Sequence, residues 1–304
     1  MIAQKWPPIR CVIIICALYD NALHESELYA ERLIEDFHIA LSERQFLVYY
    51  QPKFDIRPEN PILASAEALV RWKHPQFGMI SPGVFIPLLE ENGLIQKLDH
   101  YVWCEAASQI RAWKTKYGIS VPVSVNVSRI DMYDPNLVGI FKDILEQYKL
   151  APDELLLEIT ESAYTQDSMQ IIDTVNQLRQ LGFSIEMDDF GTGYSSLNMI
   201  SRLPIDALKL DMQFIREAFN NGGDTGMIEV IIGIADYLKV PVIAEGVETE
   251  EQLKALKAIG CDIVQGYYFS KPVPSDEYEV FIEAKKRRLD SEQSSPVQSV
   301  ENMF

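Results

Sequence analysis

The sequence predicts an α/β protein, and three observations favour a closed (β/α)8 barrel. Apolar, strand-like runs alternate with amphipathic helical segments along most of the chain, giving eight strands. Such alternation is typical of a parallel sheet, because a helix usually connects one parallel strand to the next. The eight units occupy about 240 residues, which suits a closed barrel better than an open doubly wound sheet. Polar residues also recur where the predicted strands end, at the edge where such barrels carry their active sites.

The composition limits the classes of function that the chain can have. Its 304 residues allow one large domain or two small ones. A formal net charge of −18 disfavours binding to nucleic-acid polymers, which requires a basic surface. The four cysteines form no CxxC pair and the four histidines no HxxxH pair. Neither a disulfide framework nor a His/Cys zinc site is therefore expected, and the reducing cytoplasm is the predicted location.

The N-terminal segment contains an apolar run at 11–19 that is too short to span a bilayer. Lys5 and Arg10 precede this run and give it some likeness to a signal peptide. No clean small-x-small cleavage site follows, however. A buried strand is therefore the favoured interpretation, and no membrane insertion is expected.

The first half of the predicted barrel is the less regular half. Apolar residues recur at helical spacing over 25–44. Ser81 and Pro82 are typical of a helix cap and of the first turn after it. The predicted strands here are 46–54, 62–72 and 121–126, and the predicted helices are 25–44, a short helix from Ser81, 95–117 and 135–148.

The second half follows a regular strand–helix period. Beyond it the chain becomes polar from residue 289, and residues 289–304 are predicted to be a disordered tail. The predicted strands are 154–159, 184–189, 207–211, 240–245 and 262–266. The predicted helices are 167–181, 195–202, 213–219, 225–238, 250–259 and 276–288.

The stretch 184–196 holds the most informative pattern in the chain. An apolar-leaning strand ends in the adjacent carboxylates Asp188 and Asp189, and a turn with Gly191 and Gly193 follows. An acidic pair can simply open a turn, which is the ordinary explanation. A dinucleotide-binding loop is a further alternative, disfavoured because the third glycine of GxGxxG is missing and the turn does not follow a first strand.

Polar residues occupy the predicted carboxyl ends of seven strands. Singly, each has an ordinary explanation: Asn126 could cap a helix, Glu158 could lie at the surface and Lys209 could form a salt bridge. Together they indicate a functional site, because a barrel needs no such set for its stability. The residues are Glu67, Asn126, Glu158, Asp188 with Asp189, Lys209, Glu245 and Gln265.

The chemistry of this set favours hard divalent cations. Five crowded carboxylates would raise one another's pKa values unless cations lie among them. Oxygen ligands without His or Cys select Mg²⁺ or Mn²⁺ rather than zinc. Asp188 and Asp189 could serve two ions, an arrangement suited to in-line attack of water on a phosphodiester. Lys209 is expected to stay protonated and to orient that water or the leaving oxygen. Arg71, four residues beyond Glu67, could bind a phosphate.

Seven motifs, taken in order, resemble the motif series of EAL-domain cyclic di-GMP phosphodiesterases, and the resemblance covers roughly residues 30–285. It implies a modified TIM barrel with one antiparallel strand near the start, and hydrolysis of cyclic di-GMP to linear pGpG. The motifs are Glu67-Ala-Leu-Val-Arg-Trp, Ser124-Val-Asn-Val-Ser, Glu158-Ile-Thr-Glu-Ser, Asp188-Asp-Phe-Gly-Thr-Gly-Tyr-Ser-Ser, Leu203-Pro-Ile-Asp-Ala-Leu-Lys-Leu-Asp, Ala244-Glu-Gly-Val-Glu-Thr and Gln265-Gly-Tyr-Tyr-Phe.

The resemblance also implies roles for single residues. Lys209 would position the water, and Glu67 and Glu245 would also take part in catalysis. Glu161 matches a glutamate that holds the loop after Asp189, a loop linked to dimerisation and activity. The ligands of two divalent cations, Mg²⁺ or Mn²⁺, would be Glu67, Asn126, Glu158, Asp188, Asp189 and Glu245. The substrate-pocket or supporting residues would be Gln51, Leu69, Arg71, Asp211, Glu248 and Gln265.

The same resemblance suggests a division of the chain. Residues 1–28 have no counterpart in the family and look like the last strand and linker of an upstream, GGDEF-like regulatory domain. The EAL phosphodiesterase domain would occupy residues 29–288. No GGDEF motif is present, so no cyclase activity is expected. The family resemblance also implies a homodimer.

Two alternatives to a hydrolase are open at this point. A catalytically silent receptor would bind cyclic di-GMP without turnover, as family members that lose the acids or the loop do. This chain keeps both the acids and the loop, which favours an active enzyme. An enolase-like lyase with Lys209 as its base would not respond to cyclic dinucleotides.

Overall fold

A computed structural model describes residues 21–165, 168–191, 204–220 and 225–294. Nine strands form one sheet in the order β1-β9-β8-β7-β6-β5-β4-β2-β3, and β1 also pairs with β2. That additional pairing closes eight of the strands into a barrel and leaves β3 outside it. The strands are β1 (Phe46–Asp55), β2 (Ile62–His74), β3 (Gly78–Ile80), β4 (Val123–Asn126), β5 (Leu155–Thr160), β6 (Ile185–Phe190), β7 (Ala207–Leu210), β8 (Val242–Ala244) and β9 (Ile263–Gln265).

One barrel strand, β1, runs against its neighbours. It is antiparallel to both β2 and β9, while the pairs from β2–β4 to β8–β9 are parallel. The all-parallel sheet expected from the strand–helix period is therefore wrong at β1, and the modified barrel implied by the family resemblance is confirmed. The reason is the short connection at 56–61, since only antiparallel neighbours can be joined without a long crossover.

The short strand β3 was not predicted from the sequence. It pairs with the end of β2 as a hairpin, with His74 opposite Gly78. Gly78 has a φ of 71°, in the left-handed region that glycine adopts without strain. This hairpin extends beyond the barrel and contributes Ile80 to the packing against the first helix.

Most helices pack around the barrel at positions that the sequence pattern predicted, but the short helix at Glu161–Thr165 was not predicted. The predicted helix at 195–202 and the predicted strand at 11–19 lie outside the described residues. Single 3-10 turns occur at Asp131–Tyr133 and Pro152–Glu154. The helices are α1 (Asn21–Ser42), α2 (Pro82–Glu91), α3 (Ile95–Tyr117), α4 (Leu137–Tyr148), α5 (Glu161–Thr165), α6 (Ser168–Gln180), α7 (Met212–Asn220), α8 (Gly226–Leu238), α9 (Glu250–Ala258) and α10 (Ser275–Ser294).

Two of these helices run across the predicted domain limits. Helix α1 runs without a break through the boundary predicted between residues 28 and 29. Helix α10 continues to Ser294, so residues 289–294 of the predicted disordered tail are helical. A pair between Arg288 Nε and Glu292 Oε1 at 2.9 Å, one helical turn apart, supports this extension.

The described residues form two apolar clusters. The larger cluster lies between the barrel and its helices, and Trp113 stacks on Tyr278 there with ring centroids 5.0 Å apart. The smaller cluster joins α1 to the outer ends of β1 and β2, through residues such as Phe37, Phe46 and Trp72. Within the described part of the chain, no helix is both long and apolar enough to cross a membrane.

Candidate active site

The register of the parallel strands brings polar side chains to one mouth of the barrel. Asn126 lies opposite Glu158 on the neighbouring strand, and Glu158 lies opposite Glu186 on the next one. Side chains two positions apart on a strand share a face. Glu186 and Asp188 therefore share the inner face of β6, and Ser124 and Asn126 share the inner face of β4.

The ammonium of Lys209 is the centre of the site. Its Nζ atom lies among four described carboxylates that come from four different parts of the barrel. The partners are Glu158 Oε2 at 2.6 Å, Glu245 Oε1 at 2.7 Å, Asp188 Oδ1 at 3.0 Å and Glu67 Oε2 at 3.9 Å.

Lys209 stays protonated in this surrounding. Its side chain is 1% exposed, and burial by itself lowers the pKa of a lysine. The charges of Asp188, Glu158 and the other carboxylates outweigh burial and raise the pKa of Lys209 well above its ordinary value. The amine is therefore a hydrogen-bond donor at neutral pH and not a base.

A β-bulge explains how two consecutive aspartates can serve one site. In a regular strand, Asp188 and Asp189 would point to opposite faces. The pairing of β6 with β7 shifts register between Met187 and Phe190, and Asp189 has a φ of 56°. Such bulges re-aim side chains beside active sites. Burial, followed by the charge of Asp188, raises the pKa of Asp189 to about 6.

A chain of amide groups fixes Glu67. Gln265 Nε2 donates to Glu67 Oε2 at 2.5 Å and to Gln51 Oε1 at 3.0 Å. Gln51 Nε2 in turn donates to the carbonyl oxygen of Ser270 at 3.1 Å. Burial first, and the charge of Glu158 next, raise the pKa of Glu67 to about 8. Burial also raises the pKa of Glu245 to about 7.

Asn126 and Glu161 lie at the edge of this cluster. Asn126 is exposed at the end of β4, and its carbonyl oxygen accepts a hydrogen bond from Trp103 Nε1 at 2.9 Å. Glu161 Oε2 accepts from the backbone N–H of Gly191 at 2.8 Å. Glu161 thus holds the start of the loop after Asp189, while residues 192–203 of that loop lie outside the described part.

A pocket of about 280 Å³ opens beside the carboxylates. Five of the six predicted substrate residues line it, and Asp211 does not. Asp211 Oδ1 instead accepts from the backbone N–H of Gln213 at 2.7 Å, at the start of α7. The lining residues are Gln51, Glu67, Leu69, Arg71, Met212, Arg216, Glu245, Gly246, Glu248, Gln265, Gly266, Tyr267 and Pro272.

Two guanidinium groups line this pocket. Arg71 is half-buried and donates through Nη1 to the carbonyl oxygen of Val70 at 2.8 Å. Arg216, on α7, lies 3.1 Å from Glu248 Oε1. Arg216 was not among the residues predicted from the sequence, because an arginine on an amphipathic helix has no local signal that sets it apart from any surface residue.

Three buried polar residues beneath the site, Lys53, Ser124 and Glu186, were also not predicted from the sequence. Lys53 is 0% exposed, and its Nζ atom contacts Glu158, Glu186 and Ser124. A signal for them exists in the two-residue period of strands. Lys53 follows Gln51 by two positions, as Glu186 precedes Asp188 and Ser124 precedes Asn126.

The lysines change the interpretation of the crowded acids. In the described part of the chain, no group of three or more His, Cys, Asp or Glu side chains is arranged to hold a metal ion. Lys209 and Lys53 are the cations among the acids in this arrangement, a role that the sequence argument gave to metals alone. Burial is the main cause of the raised pKa values of Glu67, Glu245 and Asp189, and neighbouring carboxylates, which outnumber the two lysines, raise these pKa values further. The oxygen donors and the remaining charge fit a hard divalent cation.

Comparisons with known proteins show which family the chain resembles. The sequence model of the EAL domain family matches residues 34–272. The bifunctional diguanylate cyclase/cyclic di-GMP phosphodiesterase MucR of Pseudomonas aeruginosa is 36% identical over 259 residues, which are 85% of this chain and 38% of that protein. The cyclic di-GMP phosphodiesterase NbdA of the same organism is 40% identical over 82% of this chain and 32% of its own length.

Solved structures show the same architecture. The MucR phosphodiesterase of Pseudomonas aeruginosa in complex with c-di-GMP superposes with a TM-score of 0.77 at 37% identity, covering 81% of this chain and 99% of that one. The FimX EAL domain bound to c-di-GMP, from the same organism, has a TM-score of 0.70 at 23% identity and supports the fold alone. The chain spans less than two fifths of the length of MucR and of NbdA, at 38% and 32%.

Proposed function

The chain belongs to the EAL domain family, and from this premise we propose that it hydrolyses cyclic di-GMP to linear pGpG with divalent cations. The observation that carries the proposal is the convergence of Glu67, Glu158, Asp188 and Glu245 on Lys209, beside a pocket lined by Arg71 and Arg216. The relatives NbdA and PdeR, from Pseudomonas aeruginosa and Escherichia coli, are cyclic di-GMP phosphodiesterases.

The pocket holds two cationic side chains for an anionic dinucleotide, beside the acids Glu67, Glu245 and Glu248. The chain as a whole is strongly acidic, with a formal net charge of −18, so its surface repels phosphates. Arg71 and Arg216 place two guanidinium groups at the pocket, where they can pair with phosphate oxygens. Gln51 and Gln265 add amide groups, and Leu69 adds an apolar contact surface for a base. Glu248 can accept hydrogen bonds from a base edge or hold Arg216 in place.

Lys209 contributes as a hydrogen-bond donor held in a fixed position. Its three shortest carboxylate contacts, at 2.6–3.0 Å, leave the ammonium little freedom to move. A protonated amine can orient an attacking water or stabilise the departing oxygen. It cannot abstract a proton, so its raised pKa disfavours the enolase-like lyase.

The carboxylates complete the proposal. The residues that would hold divalent cations are Glu67, Asn126, Glu158, Asp188, Asp189 and Glu245. When bound, Mg²⁺ or Mn²⁺ supplies positive charge at the phosphoryl oxygens and a more acidic water. Glu67 and Glu245 are the acids best suited to exchange protons near pH 7 in the metal-free protein, because their pKa values lie at about 8 and about 7.

A hydrolysis assay tests the proposal. The protein is incubated with cyclic di-GMP and Mg²⁺ or Mn²⁺, and the products are separated by chromatography and identified by mass. Formation of pGpG that stops with EDTA is expected, and Glu67→Gln should abolish it. Glu154→Gln is the matched control, since Glu154 is an equally buried glutamate, with Lys114 as its partner, at the opposite end of β5. Binding without turnover by the wild type would instead favour the silent receptor.

The proposal has a cellular setting as well. We also propose that the domain works in the cytoplasm, because its cysteine pattern suits a reducing compartment. The family resemblance further implies a homodimer controlled by an upstream regulatory domain. Light scattering on the purified chain measures its oligomeric state directly. A monomer at every concentration would remove dimerisation from the proposal without affecting the hydrolysis.

A further inference from the structure

A second buried lysine lies one layer below the site. We propose that Lys53, held by Glu186, is a positioning residue that fixes the orientation of the Glu158 carboxylate. The inference rests on the proposed function, because Glu158 matters only if its carboxylate works at the barrel mouth. Lys53 itself does not line the pocket, so its effect on the reaction passes through Glu158.

The geometry divides the two oxygens of Glu158 between two lysines. Lys53 Nζ lies 2.6 Å from Glu158 Oε1, while Lys209 Nζ lies 2.6 Å from Glu158 Oε2. Ser124 Oγ donates to the same Oε1 atom and also accepts from Lys53 Nζ at 2.8 Å. Two hydrogen-bond donors, Lys53 and Ser124, therefore contact Oε1. They fix the plane of the carboxylate with Oε2 towards the site.

Lys53 also forms an ion pair with a second carboxylate, that of Glu186. Its Nζ atom lies 2.5 Å from Glu186 Oε2, and the Lys53 side chain is 0% exposed. The four groups thus form an alternating series of charges across the barrel, from Glu186 through Lys53 and Glu158 to Lys209. The series comes from four strands, so each backbone holds its member in place.

Packing alone does not explain a charged pair at this depth. The interior layers of such barrels are usually filled by branched apolar side chains. Burying an ion pair costs free energy, and an apolar pair of similar volume is often at least as stable. The retained charges of Lys53 and Glu186 therefore point to a task at Glu158 and not to stability.

The decisive test compares a single and a double variant. Lys53→Met alone leaves the buried Glu186 carboxylate without its cationic partner and is expected to lower the Tm. Adding Glu186→Leu removes both charges, and the Tm should return towards that of the wild type. If Lys53 positions Glu158, the double variant still loses kcat and Mn²⁺ affinity by about 10- to 100-fold, the usual effect of losing a group that orients a metal ligand. The Kd for cyclic di-GMP should stay within about threefold, because the pocket is intact.

A second variant keeps the test informative if the double variant does not fold. Ser124→Ala removes the hydroxyl partner of Glu158 Oε1 without changing any charge, and it should lower kcat and Mn²⁺ affinity in the same direction. The matched control is Lys114→Met with Glu154→Leu, another lysine–glutamate pair at 2.7 Å, for which neither quantity should change.

Two results would overturn the inference. One is a folded double variant whose kcat and Mn²⁺ affinity equal those of the wild type. The other is an unfolded double variant together with an unaffected Ser124→Ala. A wild-type protein that does not hydrolyse cyclic di-GMP would reject the proposed function instead, and the Mn²⁺ affinities of the variants would still decide whether Lys53 orients Glu158.

Discussion

At the scale of single residues, the site is a balance between acids and two lysines. Lys209 contacts carboxylates on Glu158, Asp188 and Glu245, and Lys53 takes the remaining oxygen of Glu158. The balance is uneven, because Glu158 is ionised while burial holds the pKa of Glu67 at about 8. Acids that are costly to ionise in the metal-free protein are expected to bind a cation readily, since the cation removes that cost.

Replacing Lys209 tests its role as a donor. Lys209→Met keeps much of the side-chain volume but removes the ammonium, and kcat should fall about 100- to 1,000-fold, as for the loss of one preorganised donor. The Kd for cyclic di-GMP should change little. Steady-state kinetics and calorimetry measure the two quantities. An unchanged kcat would mean that Lys209 only balances charge.

The pH dependence of stability tests the raised pKa of Glu67. In the unfolded chain Glu67 ionises near its ordinary value of 4.5, whereas in the folded protein it ionises at about 8. Glu67 therefore destabilises the metal-free fold increasingly as pH rises from about 5 to 8. Glu67→Gln removes this penalty and keeps an oxygen to accept from Gln265, so its Tm in EDTA should exceed that of the wild type by about 2 °C or more at pH 8.

The difference in Tm between Glu67→Gln and the wild type should shrink towards pH 4, where Glu67 carries a proton in both the folded and the unfolded state. Differential scanning calorimetry at several pH values follows it. A Tm for Glu67→Gln below that of the wild type at pH 8 would contradict the prediction.

At the scale of elements, the end of β6 determines how the acids are presented. The register shift and the left-handed backbone at Asp189 lead into Gly191, whose φ is 96°. The backbone N–H of Gly191 donates to Glu161 Oε2 at 2.8 Å, which joins the ends of β5 and β6. A side chain at Gly191 would also meet the ring of Phe214, with its Cβ 2.5 Å from Cζ. This element thus requires glycine for both conformation and space.

Substituting this glycine tests that requirement. Gly191→Ala should destabilise the protein by about 1–3 kcal/mol, because alanine is strained at this φ and crowds Phe214. Urea denaturation measures the change in the free energy of unfolding. Gly233→Ala is the control, since a Cβ at Gly233 meets nothing within 4 Å and the position is helical. Equal effects at the two positions would refute the explanation.

At the scale of the whole molecule, α1 is part of the barrel domain and not a linker leading to it. It buries Leu33, Phe37 and Ala40 against the ends of β1 and β2. A polar contact also ties it to β2, because Asp36 Oδ2 lies 3.2 Å from His74 Nε2. These contacts all lie after residue 28, and the limit predicted there falls inside the same helix.

Truncating one buried side chain of α1 tests this integration. Phe37→Ala should lower the free energy of unfolding by about 3–5 kcal/mol, the usual cost of emptying a core aromatic site. Chemical denaturation followed by fluorescence provides the measurement. Leu28→Ala is the control, since Leu28 is 51% exposed on the same helix and should change stability by less than about 0.5 kcal/mol.

The sequence by itself determined the succession of strands and helices, and it placed Asp188, Lys209 and Glu245 at strand ends. These features follow from periods of 2 and 3.6 residues, which are local properties of the chain. The strand–helix period alone missed the direction of β1, which the family resemblance implied. The bulge at Asp189 and the partners of Lys53 were decided only by the tertiary structure. Lys53 lies 105 residues from Glu158 and 133 from Glu186 in the chain. The pairing of carboxylate oxygens with lysines depends on contacts between distant strands, and the protonation of each acid depends also on its burial. No local sequence pattern contains this information.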